Sequence, residues 1–161
     1  FRCWYYLYWY FKMVKSNEET QDNKLEQWSL TLLRVVLGVI FLYHGYLKLF
    51  VTGGFKGTVT FFVTLGIPLP VYSALLVSFV EFVGGILLLI GFVTRWTTLF
   101  LIFQMLVAFF VVHLRNGFLA SNNGYEFVLL ILAGLVMILS SGAGKFSVGR
   151  KFKSKHLQWN W

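Results

Sequence analysis

The sequence predicts an all-α integral membrane protein, a four-helix bundle with a short interfacial or re-entrant helix between its first and second spans. Three observations predict it. Of 161 residues, 58% are hydrophobic and only 12% charged, about half the roughly 25% charged content of a soluble domain. That excludes a water-soluble globule, and the same apolar excess excludes a disordered chain. The apolar residues gather in four runs of about 20 residues, the length a helix needs to cross the hydrocarbon of a bilayer. The charged residues lie almost wholly outside those runs. In lipid each run must be helical, because an unpaired strand edge would leave backbone groups unsatisfied at several kcal/mol each.

In chain order, residues 1–28 form an N-terminal tail. Its first twelve residues, FRCWYYLYWYFK, are too short to span and have no signal-peptide cleavage site. They read either as an interfacial aromatic anchor or as sequence upstream of a start at Met13. The second reading is preferred, because no polar residue gives the block an amphipathic pattern. The first span is Ser29 to Phe50. Between Val51 and Pro70 the segment GTVTFFVTLG is apolar but too short to cross, so it is expected to lie on or dip into the bundle, and Pro68 and Pro70 end it. The second span, Val71 to Val93, meets the third, Trp96 to Leu114, through a short turn around Thr94 and Arg95, which makes the two antiparallel neighbours. A polar loop from Arg115 to Tyr125, with Asn122-Asn123-Gly124 as its turn signal, leads to the fourth span, Glu126 to Gly142. The bundle thus covers 29–142, and residues 143–161 are a basic tail.

A net charge of +8 raises the question of nucleic acid, and the distribution answers it. With an even number of spans both tails and the second connection share one side, and that side holds Arg2, Lys12, Lys15, Lys24, Arg95, Lys145, Arg150, Lys151, Lys153 and Lys155. The other side holds Lys56 and Arg115, with Lys48 nearby. This asymmetry is the signature of membrane topology, with both termini cytoplasmic, and not of nucleic-acid binding. The single cysteine, Cys3, excludes an intramolecular disulfide and any cysteine-rich metal site.

Ionisable side chains within the spans are functional candidates, since a charge at mid-bilayer costs about 3 kcal/mol on insertion scales. Glu81 is the deepest, roughly 15 Å into its span at the helical rise, too deep to snorkel. Its carboxyl must be protonated or have a cationic partner. His44 and Lys48 are four apart, on one face of the first span, with Gly38, Gly45 and Arg34 near the same side. Glu81 shares its face with Ser78 and Gly85. Glu126 opens a stripe of small residues, Ala133, Gly134, Ser140 and Ser141, so three spans are expected to offer a small or polar face to one another. On the third span Gln104, Ala108 and Arg115 share a face and His113 points nearly opposite, close to an end where the helix can unwind. Arg34 sits near the cytoplasmic end, where snorkelling and an inward role are both open. Two readings of the set stand side by side: a hydrogen-bonded network that only sets helix register, or a polar pocket lined by His44, Lys48, Glu81, His113 and Glu126 that binds a small molecule or relays protons. No HxxH or ExxH spacing gathers a metal site. His156 belongs to the basic tail.

Arg34, the run Gly38 to Phe50 with His44-Gly45 and Lys48, Gly66-Ile67-Pro68, and Glu81 with Gly84-Gly85 resemble the DoxX family of small bacterial and archaeal membrane proteins. His113-Leu114-Arg115-Asn116-Gly117-Phe118 and Gly124-Tyr125-Glu126 are similar to that family's third loop and the start of its fourth helix. The likeness runs from about Leu30 to Ser147. It implies a multi-pass inner-membrane protein that is an oxidoreductase or a subunit of one; relatives include a thiosulfate:quinone oxidoreductase subunit and members of mycobacterial oxidative-stress complexes. On that implication the protein binds a quinone-like or other small hydrophobic molecule, although no motif specifies a cofactor. His44 and Glu81 would handle protons, while Arg34, Lys48, His113 and Glu126 would bind the ligand. The rival, from a different class, is a non-catalytic scaffold that docks a partner oxidoreductase at the membrane.

Overall fold

The structure is a computed structural model that describes residues 2–144 and 146–149, with side chains from Lys24 onward. Among the described residues there are helices and turns and no strand. Helix α1 (Arg2–Phe50) is one continuous helix that takes in the polar leader as well as the first span. The readings of residues 1–12 as anchor or upstream sequence concern side chains outside the described ones, as does the tail beyond Gly149, His156 included. Helix α2 (Gly54–Thr64) is the short element expected between the spans. Its Phe55, Thr58, Val59 and Phe62 are half-buried while Phe61 and Val63 are exposed, a spacing of three and four residues that turns one stripe to the bundle. It packs on both α1 and α3.

Helix α3 (Pro70–Ile90) starts with proline in its first turn and ends at Gly91, whose φ of 69° closes the helix in the left-handed region, a conformation glycine adopts without Cβ strain. The connection to α4 (Thr94–Ala108) is therefore Gly91 to Val93, slightly earlier than the sequence places it, and Thr94 and Arg95 are already helical. Val93 itself carries a φ of 47°, which a β-branched side chain tolerates poorly. After Ala108 the helix loosens into a π turn, Phe109–His113, and a 3₁₀ turn, Leu114–Asn116. Helix α5 (Glu126–Ser141) is the shortest of the four spans. Its 16 residues cover about 24 Å at the helical rise, whereas three helical stretches, Lys24–Phe50, Pro70–Ile90 and Thr94–Asn116, are long and apolar enough to cross unaided.

The core lies between α1, α3, α4 and α5, where Leu37, Phe41, Leu88, Leu101, Ile131, Leu135 and Ile138 form one buried cluster. One expectation holds at a single residue here. Of the small residues of α5 only Gly134 faces the bundle, where an added Cβ would press on the side chain of Leu37; Ala133, Ser140 and Ser141 are exposed, and the buried face is Val128, Ile131, Leu132, Leu135 and Ile138. These recur at three- and four-residue intervals and carry far more apolar surface, so they set the rotation of the helix.

Helices α1 and α3 form the most extensive pairing, and two glycines make it possible. A Cβ on Gly45 would overlap the backbone of Phe82, and one on Gly85 would overlap the backbone of Leu42, so at both points backbone meets backbone. Gly45→Ala and Gly85→Ala are each expected to destabilise the bundle by about 1–3 kcal/mol, the usual cost of overpacking. Gly57→Ala, where an added Cβ meets nothing within 4 Å, is the control; thermal unfolding in detergent checks the contrast.

Candidate functional site

Where α1 nears its end, the side chain of Lys48 turns onto the middle of α3. Its Nζ donates to both carboxylate oxygens of Glu81, at 2.7 Å to Oε1 and 2.6 Å to Oε2, and the Nε2 of Gln104 on α4 donates to Oε1 at 2.7 Å. Three helices thus meet on one carboxylate. Glu81 is almost sealed while Lys48 keeps 27% of its side chain exposed, so the cluster opens on the lysine side. The register follows from the glycine contacts: with Gly45 against Phe82, Lys48 lies one helical turn further along α1 and its flexible stem spans the remaining gap to Glu81.

Counting donors and acceptors shows what is left over. An ammonium has three N–H groups and Lys48 directs two of its bonds to Glu81; an amide nitrogen has two and Gln104 uses one. The remaining capacity is a pair of donors beside a carboxylate. Gln104 was legible in the sequence only as a polar residue on one face of the third span; its amide within an apolar run was the signal that it belongs to the site.

The other sequence-predicted residues lie elsewhere. His44 is on α1 one turn before Lys48, exposed, with its ring edge-on to Tyr43 at 6.4 Å between centroids, and among the described residues it makes no bond to Glu81. Arg34 is fully buried, about 21 Å from Lys48 along α1 at the helical rise. Its Nη1 donates to the carbonyls of Leu88 and Leu89 in the last turn of α3, and its Nη2 donates to the carbonyl of Phe146. A cation at a helix C-terminus meets both the unpaired carbonyls and the negative end of the helix dipole. Arg34 therefore joins α1, α3 and the segment after α5.

His113 and Glu126 flank the third loop. His113 shares a 2.8 Å hydrogen bond between its Nδ1 and the carbonyl of Asn123, and Asn116 donates to the same carbonyl at 3.2 Å. Glu126 accepts from the backbone N–H of Ala120 at 2.7 Å, and Tyr125 packs edge-on against Phe109 and Phe118. These residues brace the loop. Of the six candidates, then, the structure brings Lys48 and Glu81 together and sets the other four apart from them. No group of three or more metal-ligating side chains occurs among the described residues.

The family model for DoxX matches residues 29–114, more than half of the chain and the whole stretch that carries Lys48, Glu81 and Gln104. The chain belongs to the DoxX family. Among curated DoxX relatives, the protein named "Putative oxidoreductase CatD" of Bacillus subtilis is 32% identical over 109 residues, 68% of this chain and 77% of the relative. Inner membrane protein YqjF of Escherichia coli is 30% identical over 135 residues, 83% of this chain and 98% of the relative. Inner membrane protein YphA of the same organism is 29% identical over 127 residues, 76% and 89% of the two chains. No solved structure matches the chain. With its apolar helices and inner-membrane relatives, this DoxX chain is a bacterial membrane protein.

Removing one member of a buried ion pair leaves the other uncompensated at about 3–5 kcal/mol when both are sealed. Because Lys48 is partly exposed, Glu81→Leu in this DoxX protein is expected to cost on the order of 2 kcal/mol. The double variant Lys48→Met/Glu81→Leu is expected to recover most of that loss. Unfolding of the two single variants and the double variant in detergent measures the coupling.

Proposed function

We propose that this DoxX protein is a redox-linked membrane subunit that binds a quinone-like or other small hydrophobic carbonyl compound at the Lys48–Glu81–Gln104 cluster. The observation that carries this reading is a carboxylate held by two donors from two other helices, inside an apolar bundle, with donor capacity to spare. The free N–H groups of Lys48 and Gln104 suit a carbonyl oxygen. Reduction of a quinone adds two electrons and two protons and turns each carbonyl into a hydroxyl. In this reading the electrons come from a partner oxidoreductase, and Lys48 and Glu81 hold and replace the protons. His44, exposed one turn along α1, is the titratable group through which protons would exchange with the surroundings. The name carried by the Bacillus subtilis relative agrees with a redox assignment.

Binding of a short-chain quinone to the purified protein in lipid nanodiscs tests the assignment. Glu81→Gln and Gln104→Leu are each expected to weaken binding about tenfold, the equivalent of one charge-assisted hydrogen bond. His44→Ala is expected to leave affinity intact and to change only the pH dependence of reduction. Affinity unchanged by both cluster variants would overturn the reading and favour a scaffold that docks a partner oxidoreductase.

We also propose that both termini face the cytoplasm, on the asymmetry of Lys and Arg between the two sides. Reporter fusions at Gly57 and after Trp161 check this: a periplasm-active reporter is expected to work only at Gly57.

A further inference from the structure

We infer that the connection between α4 and α5, residues 117–125, is a re-entrant segment that folds back below the headgroup boundary and sets Phe118 and Leu119 against the acyl chains of the leaflet on its side. This placement is independent of the proposed redox role. The depth of the segment follows from its ring contacts. The apolar stretch that contains α4 runs for 23 residues, Thr94–Asn116, about 34 Å at the helical rise, against roughly 30 Å of hydrocarbon. Arg115, exposed in its last turn, suits the headgroup level there. The chain then turns back. The ring of Tyr125, the last residue before α5, packs on Phe109 at 5.4 Å between centroids, and the ring of Phe118 packs on Tyr125 at 5.5 Å. Phe109 opens the π turn and Asn116 closes the stretch, so these rings lie about 10 Å inward from its end at the helical rise. The carbonyl of Asn123 is tied to both His113 and Asn116, which holds the segment along the last turns of α4.

Composition and hydrogen bonding agree with that depth. Residues 116–125 include no charged side chain. The N–H groups of residues 122–126 all donate back onto carbonyls of residues 117–120. The N–H of Ala120 donates to the carboxylate of Glu126 at 2.7 Å, and that carboxylate stands at the positive end of the α5 dipole. A Cβ on Gly124 would collide with the carbonyls of Gly117 and Leu119, so the segment is folded tightly on itself. In water such groups need no internal partner, whereas non-helical backbone at membrane depth must find one within the protein. The bulkiest side chains turned outward are Phe118, 56% exposed, and Leu119, 55% exposed; the uncharged Ser121 and Asn122 are exposed with them. Large apolar side chains held out from a self-paired, uncharged turn beside a spanning helix fit the hydrocarbon that surrounds that helix.

Spin labels in lipid nanodiscs test this, in a chain whose single cysteine is replaced by Cys3→Ser. Labels are placed through Leu119→Cys, through Phe103→Cys on the outward face of α4 and through Lys24→Cys in the exposed leader. Each label is read for collisions with oxygen, which concentrates in hydrocarbon, and with a water-soluble nickel chelate. At position 119 the oxygen-to-chelate ratio is expected to be several-fold above that at 24 and comparable with that at 103. A ratio at 119 that matches position 24 overturns the inference and puts the loop in water. Low collision rates with both reagents overturn it too, and would mean that a second copy of the chain covers the loop.

Discussion

The backbone-to-backbone contact of α1 and α3 is the constraint on which the rest of the molecule depends. Between membrane helices there is little hydrophobic drive, because lipid tails are as apolar as leucine, and close approach must come from small residues. Gly45 and Gly85 provide it here. Once those two points are set, the antiparallel register brings Lys48 to Glu81 at one end of the contact and Arg34 to the last turn of α3 at the other. Glu81 and the Arg34 Nη groups each find the partner that this register offers. A shift of one turn would leave a carboxylate and a guanidinium in hydrocarbon without ligands. The two glycines give closeness and the two charged residues give uniqueness.

The two charged anchors work in different ways. Lys48 and Glu81 neutralise one another, and Gln104 draws α4 into the same contact. Arg34 remains a cation and binds only carbonyls, dipoles that no substitution of a neighbouring side chain would remove. It keeps a buried Nε without a hydrogen-bond partner among the described residues, a cost accepted for tying three segments together at once. The first arrangement leaves donors free next to a carboxylate. The second pairs a cation with carbonyls alone and holds no carboxylate, which is why only the first carries a chemical proposal.

Much of this was readable in the residues. Run length and charge placement gave the all-α bundle, the short helix after the first span and the antiparallel pair. Glu81 stood out because its depth demanded a partner, and Lys48 was among the candidates. What spacing could not decide was whether His44 or Lys48 would reach it. Both lie on one face at i and i+4, and the outcome turns on side-chain length: the lysine stem bridges from the edge of the interface, whereas the imidazole stays where its backbone points. Arg34 was illegible for another reason, since its partners are backbone carbonyls and carry no residue identity. Ala133, Ser140 and Ser141 of α5 misled because smallness permits an interface without requiring one, and the larger aliphatic side chains on the other face determined how the helix turned.

The brevity of α5 has a mechanical consequence. A helix of about 24 Å beside longer ones cannot match a hydrocarbon layer near 30 Å, so acyl chains along that flank must shorten or tilt to keep its ends covered. Thinning of the leaflets along that flank, a shallow dent, is one way such a mismatch is met. Such a dent lowers the energy of neighbours with equally short segments when they share it, and it makes the thickness of the host membrane a factor in where this protein collects.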